Sequence, residues 1–463
     1  MANDRLTFTL MDMGIKKSGP VQIFDERTCY DDVVNENGDP AVIPFSAQLA
    51  IVTHALMLQG RPHGDIYQAK AAQLLDAWVN SSLPSKIKLD VPIASEPYNP
   101  LQYSLFDELN LVPFPGPKNP EFTFIDLFAG IGGFRMALQN LGGQCVFSSE
   151  WDTQAQKTYF ANYGEVPFGD ITSEQTKKYI PDNFDILCAG FPCQAFSLAG
   201  KRLGFEETRG TLFFDVAEIL RRKQPKAFFL ENVKGLAIHD KGKTLKTILN
   251  TLDEVGYIVP KPEIVNAMYF GVPQHRERIY IVGFRKDLGI KPEDFIYPEQ
   301  KEVTKHFIDI REKDPVPSKY YLSTTYVETL IRHKERHESK GNGFGYAIVG
   351  DNEVANAIVV GGMGRERNIV IDKRQTDLTP TTRIKGEYNK DGWRRMTPRE
   401  WGALQGYPVY DNGDGSPVFQ IPVADASAYK QFGNSVAVPA IQATAQQILK
   451  VLSNNKTLSE YEK

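Results

Sequence analysis

The sequence predicts an α/β protein built on an open sheet, and three observations carry that prediction. Short, almost wholly apolar runs recur at 124–128, 184–189, 227–233 and 279–284, the pattern of strands covered on both faces. Stretches of helical length and spacing lie between them, from Phe134 to Leu141 and from Gly210 to about Arg222. Turns marked by glycine or proline close the strands, at Gly130-Ile131-Gly132-Gly133 and Gly190-Phe191-Pro192. Ligands of open α/β sheets bind beyond the carboxyl ends of the strands, so these turns are where chemistry is expected.

Composition narrows the class. A chain of 463 residues has room for two or three domains, and its 41% hydrophobic and 24% charged residues are ordinary for a soluble globular protein. No apolar run approaches the ~18 residues a membrane span needs, and the polar start Met1-Ala2-Asn3-Asp4-Arg5 is no signal peptide, so a cytoplasmic protein without a membrane partner is expected. Cys29, Cys145, Cys188 and Cys193 are too few for a disulfide framework and lack the spacing of a zinc site; reduced thiols and no metal are expected. With a net charge of -4, any nucleic-acid surface must be local.

Residues 1–118 form a first segment, an N-terminal extension of unknown role. Phe45 to Leu58 and Asp65 to Val79 have helical apolar spacing, broken between them by Pro62 and Gly64. Nine basic against fourteen acidic residues argue against a DNA-gripping arm. Seven prolines from Pro92 to Pro120 stiffen the chain, and the domain boundary is placed there.

Alternation of strand and helix begins at Phe122. The strand Phe124–Phe128 leads into the glycine turn and a helix, and the next strand, from Cys145, ends in Glu150. Glycines let backbone approach a ligand, and an acid after the second strand can hold ribose hydroxyls; the spacing nevertheless departs from the dinucleotide fingerprint. Close packing of helix on strand is the competing explanation of these glycines. Further on, Cys193 follows the strand 184–189 on a proline-anchored turn, which makes it a nucleophile candidate rather than one more buried cysteine. The strand 227–233 delivers Glu231 to the same edge, and Arg276-Glu277-Arg278 stand just before the strand 279–284. Right-handed crossovers would gather these ends on one rim, where a structural ion pair is the competing role for the arginines.

Five stretches, 124–134, Gly190-Phe191-Pro192-Cys193-Gln194-Ala195-Phe196-Ser197, Glu231-Asn232-Val233, Gln274-His275-Arg276-Glu277-Arg278 and Gln431-Phe432-Gly433-Asn434-Ser435-Val436, resemble in content and order the motifs of bacterial DNA cytosine-5 methyltransferases. The resemblance runs from about 122 to 452. It implies a Rossmann-like methyltransferase sheet in a catalytic domain at 119–286, a smaller, turn-rich target-recognition domain at 287–425, and a return to the catalytic domain with a tail at 426–463. It implies S-adenosylmethionine as cofactor, held by Phe128, Ala129, Gly130, Ile131, Gly132, Gly133 and Asn434 around its methionine part. Glu150 would hold the ribose, and Trp151, Asp170, Ile171, Pro192 and Leu212 would frame the adenine and sulfonium regions.

By the same resemblance the substrate is cytosine in a specific double-stranded DNA sequence. Carbon 5 of cytosine is a poor nucleophile until a thiolate adds to carbon 6, and Cys193 is that thiolate. Glu231 would donate to the ring nitrogen, Arg278 would bond the carbonyl, and Arg276 would orient Glu231 or Cys193. No residue stands out as the base that removes the carbon 5 proton. A stacked base is out of reach, so base flipping is implied, with the loop 198–205 as lid and Gln194, Ser197 and Arg209 near the target nucleotide. Such an enzyme is the modification partner of a restriction endonuclease and is expected to act on DNA as a monomer.

Within 287–425, Gly361 to Arg399 carries ten basic and five acidic residues, and Arg365, Arg367, Arg383 and Lys385 are the candidates for reading or gripping DNA. The family's Thr-Leu-like pair is replaced by Ala357-Ile358, so no target sequence is assigned. Thr397-Pro398-Arg399-Glu400 reads as a capping box opening a helix, Ala437 to Leu452 as a final helix and Lys456 to Lys463 as a frayed tail. Two rivals are a tRNA cytosine methyltransferase, whose Cys-Phe-Thr signature this chain lacks, and a non-catalytic DNA-binding regulator, which would not need Cys193 and Glu231.

Overall fold

A computed structural model of the protein describes residues 30–34, 40–82, 112–192, 212–343, 345–360, 364–376 and 386–461. An antiparallel pair, β1 (Tyr30–Val34) and β2 (Pro40–Val42), precedes two helices, Phe45–Met57 and Asp65–Ser82, close to where the apolar spacing puts them. The sheet follows: β3 (Phe122–Leu127), β4 (Gly143–Ser149), β5 (Ile186–Gly190), β6 (Ala227–Val233), the two-residue β7 (Tyr257–Ile258), β8 (Glu263–Asn266) and, after the short β9 (Gln274–His275), the long β10 (Glu277–Arg285). Its order is β4-β3-β5-β6-β10-β7, with β8 also paired to β10.

The first four strands are parallel, as buried α/β strands should be, but β10 runs antiparallel to β6, β7 and β8. This corrects the expectation that crossovers alone gather the site. Because β10 is reversed, its beginning, not its end, lies on the rim where β5 and β6 finish, and that is why residues just ahead of this strand meet residues at the ends of the others.

Side-chain alternation along the strands divides the core into two layers. Phe124, Cys188, Phe229 and Val282 face one layer, filled by the helix Gly133–Gln139 and the C-terminal helix Val438–Tyr461. Ile125, Leu127, Leu187, Phe228, Leu230 and Ile281 face the other. There they meet the helices Leu212–Lys223 and Lys243–Glu254 and, from the N-terminal segment, Ile51, Val52, Tyr67 and Leu74. Those four side chains are at most 2% exposed, and the Tyr67 hydroxyl donates to the carbonyls of Val146 and Tyr179. The N-terminal helices therefore belong to the same core as the sheet.

The region after β10 is turn-rich, with a parallel contact of β9 with β11 (Ala355–Asn356) and an antiparallel pair of β12 (Ile369–Ile371) with β13 (Trp393–Arg395). It also contains a 15-residue helix, Thr324–Glu338, whose polar sequence gave no sign of it. The capping box forms: Thr397 Oγ1 accepts from the Glu400 N–H at 3.1 Å, and Glu400 Oε2 accepts from the Thr397 N–H at 2.8 Å. The same carboxylate pairs at 0% exposure with Arg394, which also reaches Asp372. The last helix continues to Tyr461, through much of the stretch expected to fray, since neither glycine nor proline interrupts it after Pro439.

Candidate active site

Strand register assembles the rim. Gly190 at the end of β5 pairs with Glu231 on β6, and Glu231 pairs across the antiparallel ladder with Tyr280 on β10, two residues from Arg278. Glu231 is 8% exposed, and its Oε1 lies 3.1 Å from Arg278 Nε. A Cβ placed on Gly190 would stand 3.7 Å from Glu231 Oε2, so the acid borders the turn that leads to Cys193. Asn232, beside the acid, donates through Nδ2 to the Phe191 carbonyl at 2.8 Å and ties that turn to β6. Cys193 itself, with Gln194, Ser197, Arg209 and the loop 198–205, lies outside the described residues, as do Arg383 and Lys385.

Arg276 is brought to the same rim. It is 3% exposed, and its guanidinium donates to the carbonyls of Ile358, Gly433 and Ser435. None of its hydrogen bonds reaches Glu231. Burial, with the like charge of Arg278, lowers its pKa to about 9. Arg276 thus stitches the start of β10 to Ile358, inside the second region, and to Gly433 and Ser435 in the segment that returns from it. Gln274 does the same work two residues earlier, donating to the Leu404 carbonyl at 2.8 Å and accepting from the Ile358 N–H at 3.0 Å. Ile358 is therefore held by both.

The glycine turn combines the two explanations offered for it. Gly130 has φ +56°, and among the described residues nothing stands within 4 Å of the position its Cβ would take. Gly132 has φ +83°, and a Cβ there would meet the Tyr163 ring at 2.3 Å. Gly130 faces open space that a ligand could enter, whereas Gly132 is required by packing. Phe128 takes a left-handed conformation (φ 55°) that starts the turn, and the Ala129 N–H donates to the Ser149 carbonyl at 2.9 Å. Ile131 is buried in the core, and Gly133 begins the helix packed against Val436 and Tyr407.

Glu150 accepts from the N–H of Gly130 at 2.8 Å and of Asp152 at 2.8 Å, which sets its carboxylate against the turn; burial raises its pKa. Trp151 beside it is 79% exposed, its indole largely uncovered among the described residues. Asp170 is exposed and accepts from the Thr172 N–H at 2.9 Å, while Ile171 is buried at 3%. Pro192 and Asn434 are exposed and Leu212 is half-buried. The open Cβ direction at Gly130, the carboxylate beside it and the uncovered indole fit a nucleoside cofactor better than a closed structural turn. Asp126, in the neighbouring strand β3, is 1% exposed, and burial raises its pKa to about 8.

Arg365 and Arg367 are exposed, Arg365 with its guanidinium 5.4 Å over the Tyr429 ring. Sequence reasoning passed over Tyr163, whose hydroxyl donates to the Gly132 carbonyl at 2.9 Å. It also passed over Arg135 and Glu165, an ion pair of 2.8 Å at 0% exposure. A signal existed for Arg135, a charge set inside the apolar helix that follows the glycines.

The chain from 122 to 450 matches the family model of the C-5 cytosine-specific DNA methylases. It is 67% identical over 368 residues to the type II methyltransferase M.HpaII of Haemophilus parainfluenzae, covering 79% of this chain and 98% of that relative. It is 40% identical over 332 residues to the type II methyltransferase M.HhaI of Haemophilus parahaemolyticus, covering 70% and 93%. Among solved structures it resembles the S. pombe Dnmt2 methyltransferase, with a TM-score of 0.52 at 19% identity over 72% of this chain and all of that one, a likeness of fold. A rim that joins an acid, an arginine and a glycine-turn pocket at strand ends, on a sequence matched over most of its length, leads to one conclusion: this chain belongs to the C-5 cytosine-specific DNA methylase family.

Proposed function

We propose that this enzyme methylates carbon 5 of cytosine within a specific duplex sequence, with S-adenosylmethionine as methyl donor and Cys193 as nucleophile, as the modification enzyme of a restriction-modification system. The observation that carries the reading is the meeting of Glu231, Arg278 and Gly190 at the point where β5 runs out toward Cys193. S-adenosylmethionine supplies an electrophilic methyl group when bound, and Gly130, Glu150 and Trp151 are the residues best disposed to hold it.

The remaining chemistry falls to the chain. The Cys193 thiolate adds to carbon 6 of a flipped cytosine, breaking the 5,6 double bond and making carbon 5 nucleophilic. Glu231 gives a proton to the ring nitrogen as charge develops there, and Arg278, already paired with Glu231, bonds the neighbouring carbonyl. Loss of the carbon 5 proton then lets the thiolate leave. Arg276 and Gln274 keep the start of β10 fixed to both neighbouring regions while this happens. Arg365 and Arg367, together with Arg383 and Lys385, supply the contacts to DNA.

Trapping with 5-fluorocytosine tests this. Fluorine on carbon 5 cannot leave as a proton does, so the protein should become covalently joined to fluorinated target DNA in the presence of S-adenosylmethionine. Cys193→Ser should abolish the adduct, because a serine hydroxyl is scarcely ionised near neutral pH. Cys188→Ser should trap normally, since Cys188 lies buried within β5. Attachment at any other residue, or equal trapping by Cys193→Ser, removes the mechanism.

A further inference from the structure

The family match begins at residue 122, yet the N-terminal helix Phe45–Met57 reaches the cofactor turn through buried side chains. His54, 0% exposed, sits with Nδ1 2.8 Å from the Ala50 carbonyl. A carbonyl only accepts, so Nδ1 carries the proton and the ring is fixed in one orientation. Its other nitrogen, Nε2, lies 3.1 Å from Glu165 Oε1. That oxygen also meets Arg135 Nη1 at 2.8 Å and the Ser148 hydroxyl at 2.8 Å. Arg135 donates to the Tyr159 hydroxyl at 3.0 Å and stands 4.7 Å over the Tyr163 ring, which closes on Gly132 and bonds its carbonyl.

A second line of contact leaves the same helix turn. Thr53 Oγ1 accepts from the Val166 N–H at 3.0 Å, and the His54 ring lies 4.8 Å from the Phe168 ring. These contacts fix the stretch that runs on to Asp170 and Ile171. The two lines end at two stretches that the family resemblance assigns to the cofactor, the glycine turn and the segment around Asp170 and Ile171. Tyr67, from the second N-terminal helix, packs on His54 with ring centroids 5.1 Å apart and holds the imidazole from behind.

We propose that His54 is a positioning residue of the cofactor site: through Glu165 it holds Arg135 and Tyr163, and through them Gly132, which makes the N-terminal helices a working part of the methyltransferase. The proposal rests on the glycine turn being the cofactor site. Its physical basis is that Glu165 is a fully buried carboxylate whose Oε1 is met by Arg135, the Ser148 hydroxyl and the His54 ring together. Removing one of them obliges the others to shift, and Arg135 cannot shift without moving the tyrosine that fits Gly132 too tightly to admit a methyl group.

The test uses the full chain with S-adenosylmethionine as titrant in a calorimeter and as varied substrate in a methylation assay. His54→Ala should weaken binding roughly threefold to thirtyfold and raise KM for the cofactor, with kcat at saturation within about twofold of wild type. His54→Gln, which keeps a polar group of similar reach beside Glu165, should restore most of the affinity. Leu74→Ala, a core truncation in the same pair of helices, should lower stability while leaving cofactor affinity at the wild-type value. Should His54→Ala fail to fold, His54→Phe, which fills the same space without a polar nitrogen, beside Tyr163→Phe carries the test. Loss of the hydroxyl bond to Gly132 should weaken binding, and the double variant should lose less than the two single losses combined. Wild-type affinity in His54→Ala, equal losses in Leu74→Ala, or strict additivity of the pair would each overturn the proposal. Gly130→Ala separates the two readings. If that variant binds as wild type, the glycine turn is not the site; if it loses affinity while the His54 variants do not, only the role of His54 fails.

Discussion

Replacing Gly130 and Gly132 by alanine, one at a time, should give opposite signatures although the two lie in the same turn. Both have left-handed backbones, which cost an alanine about 1–2 kcal/mol. At Gly130 the added methyl meets nothing within 4 Å among the described residues, so the stability loss should stop there. At Gly132 it would stand 2.3 Å from the Tyr163 ring, and Tyr163 is itself 0% exposed and cannot move aside. Overpacking of that kind costs a further ~1–3 kcal/mol, for a total of about 2–5 kcal/mol. Cofactor affinity should follow another pattern. The Gly130 methyl points into the space a ligand would enter and should weaken S-adenosylmethionine binding by roughly tenfold or more, a loss of about 1.4 kcal/mol. Urea unfolding gives the first quantity and calorimetric titration the second. Equal stability of the two variants would contradict the packing argument, and wild-type affinity in Gly130→Ala would remove the pocket from the cofactor.

Two further outcomes follow from buried charges. Burial pushes the Glu165 carboxyl upward, but Arg135 and His54 more than offset that and hold its pKa at about 2, below the ordinary 4.5. A carboxylate depressed in the folded state stabilises above its unfolded pKa, so this contribution is complete above about pH 4.5 and is lost as pH falls toward 2; Glu165→Gln should flatten the acid limb of stability against pH in urea titrations. Arg394→Met should leave Asp372 and Glu400 buried without their shared cation and cost about 3–5 kcal/mol, read as a lower unfolding midpoint at unchanged slope.

Much of the catalytic rim is legible in the sequence because it depends on local signals. Apolar runs mark β3, β5, β6 and β10, a glycine cluster marks the turn, and the Thr397–Glu400 spacing marks a capping box that forms as expected. These patterns are set by periodicity and by backbone conformation, which neighbours in sequence determine. The direction of β10 is not such a signal, since an apolar run reads alike whether its strand lies parallel or antiparallel to β6. The helix Thr324–Glu338 escaped notice for a related reason: of its side chains only Val327 and Leu330 are buried, too few to draw an apolar stripe.

What the sequence by itself determined, then, is the α/β class, the order of the motifs and the candidate chemistry of Cys193, Glu231 and Arg278. Tertiary structure decided which partner each buried charge takes. Arg276 bonds three backbone carbonyls, and the N-terminal helices, legible as helices, found their place against the sheet only in the folded chain. His54 and Glu165 are 111 positions apart, yet they meet at 3.1 Å. No local pattern encodes such a pair, because a charge in a dry interior is stabilised by whatever opposite charge the fold brings to it, and that choice is made by packing rather than by spacing along the chain.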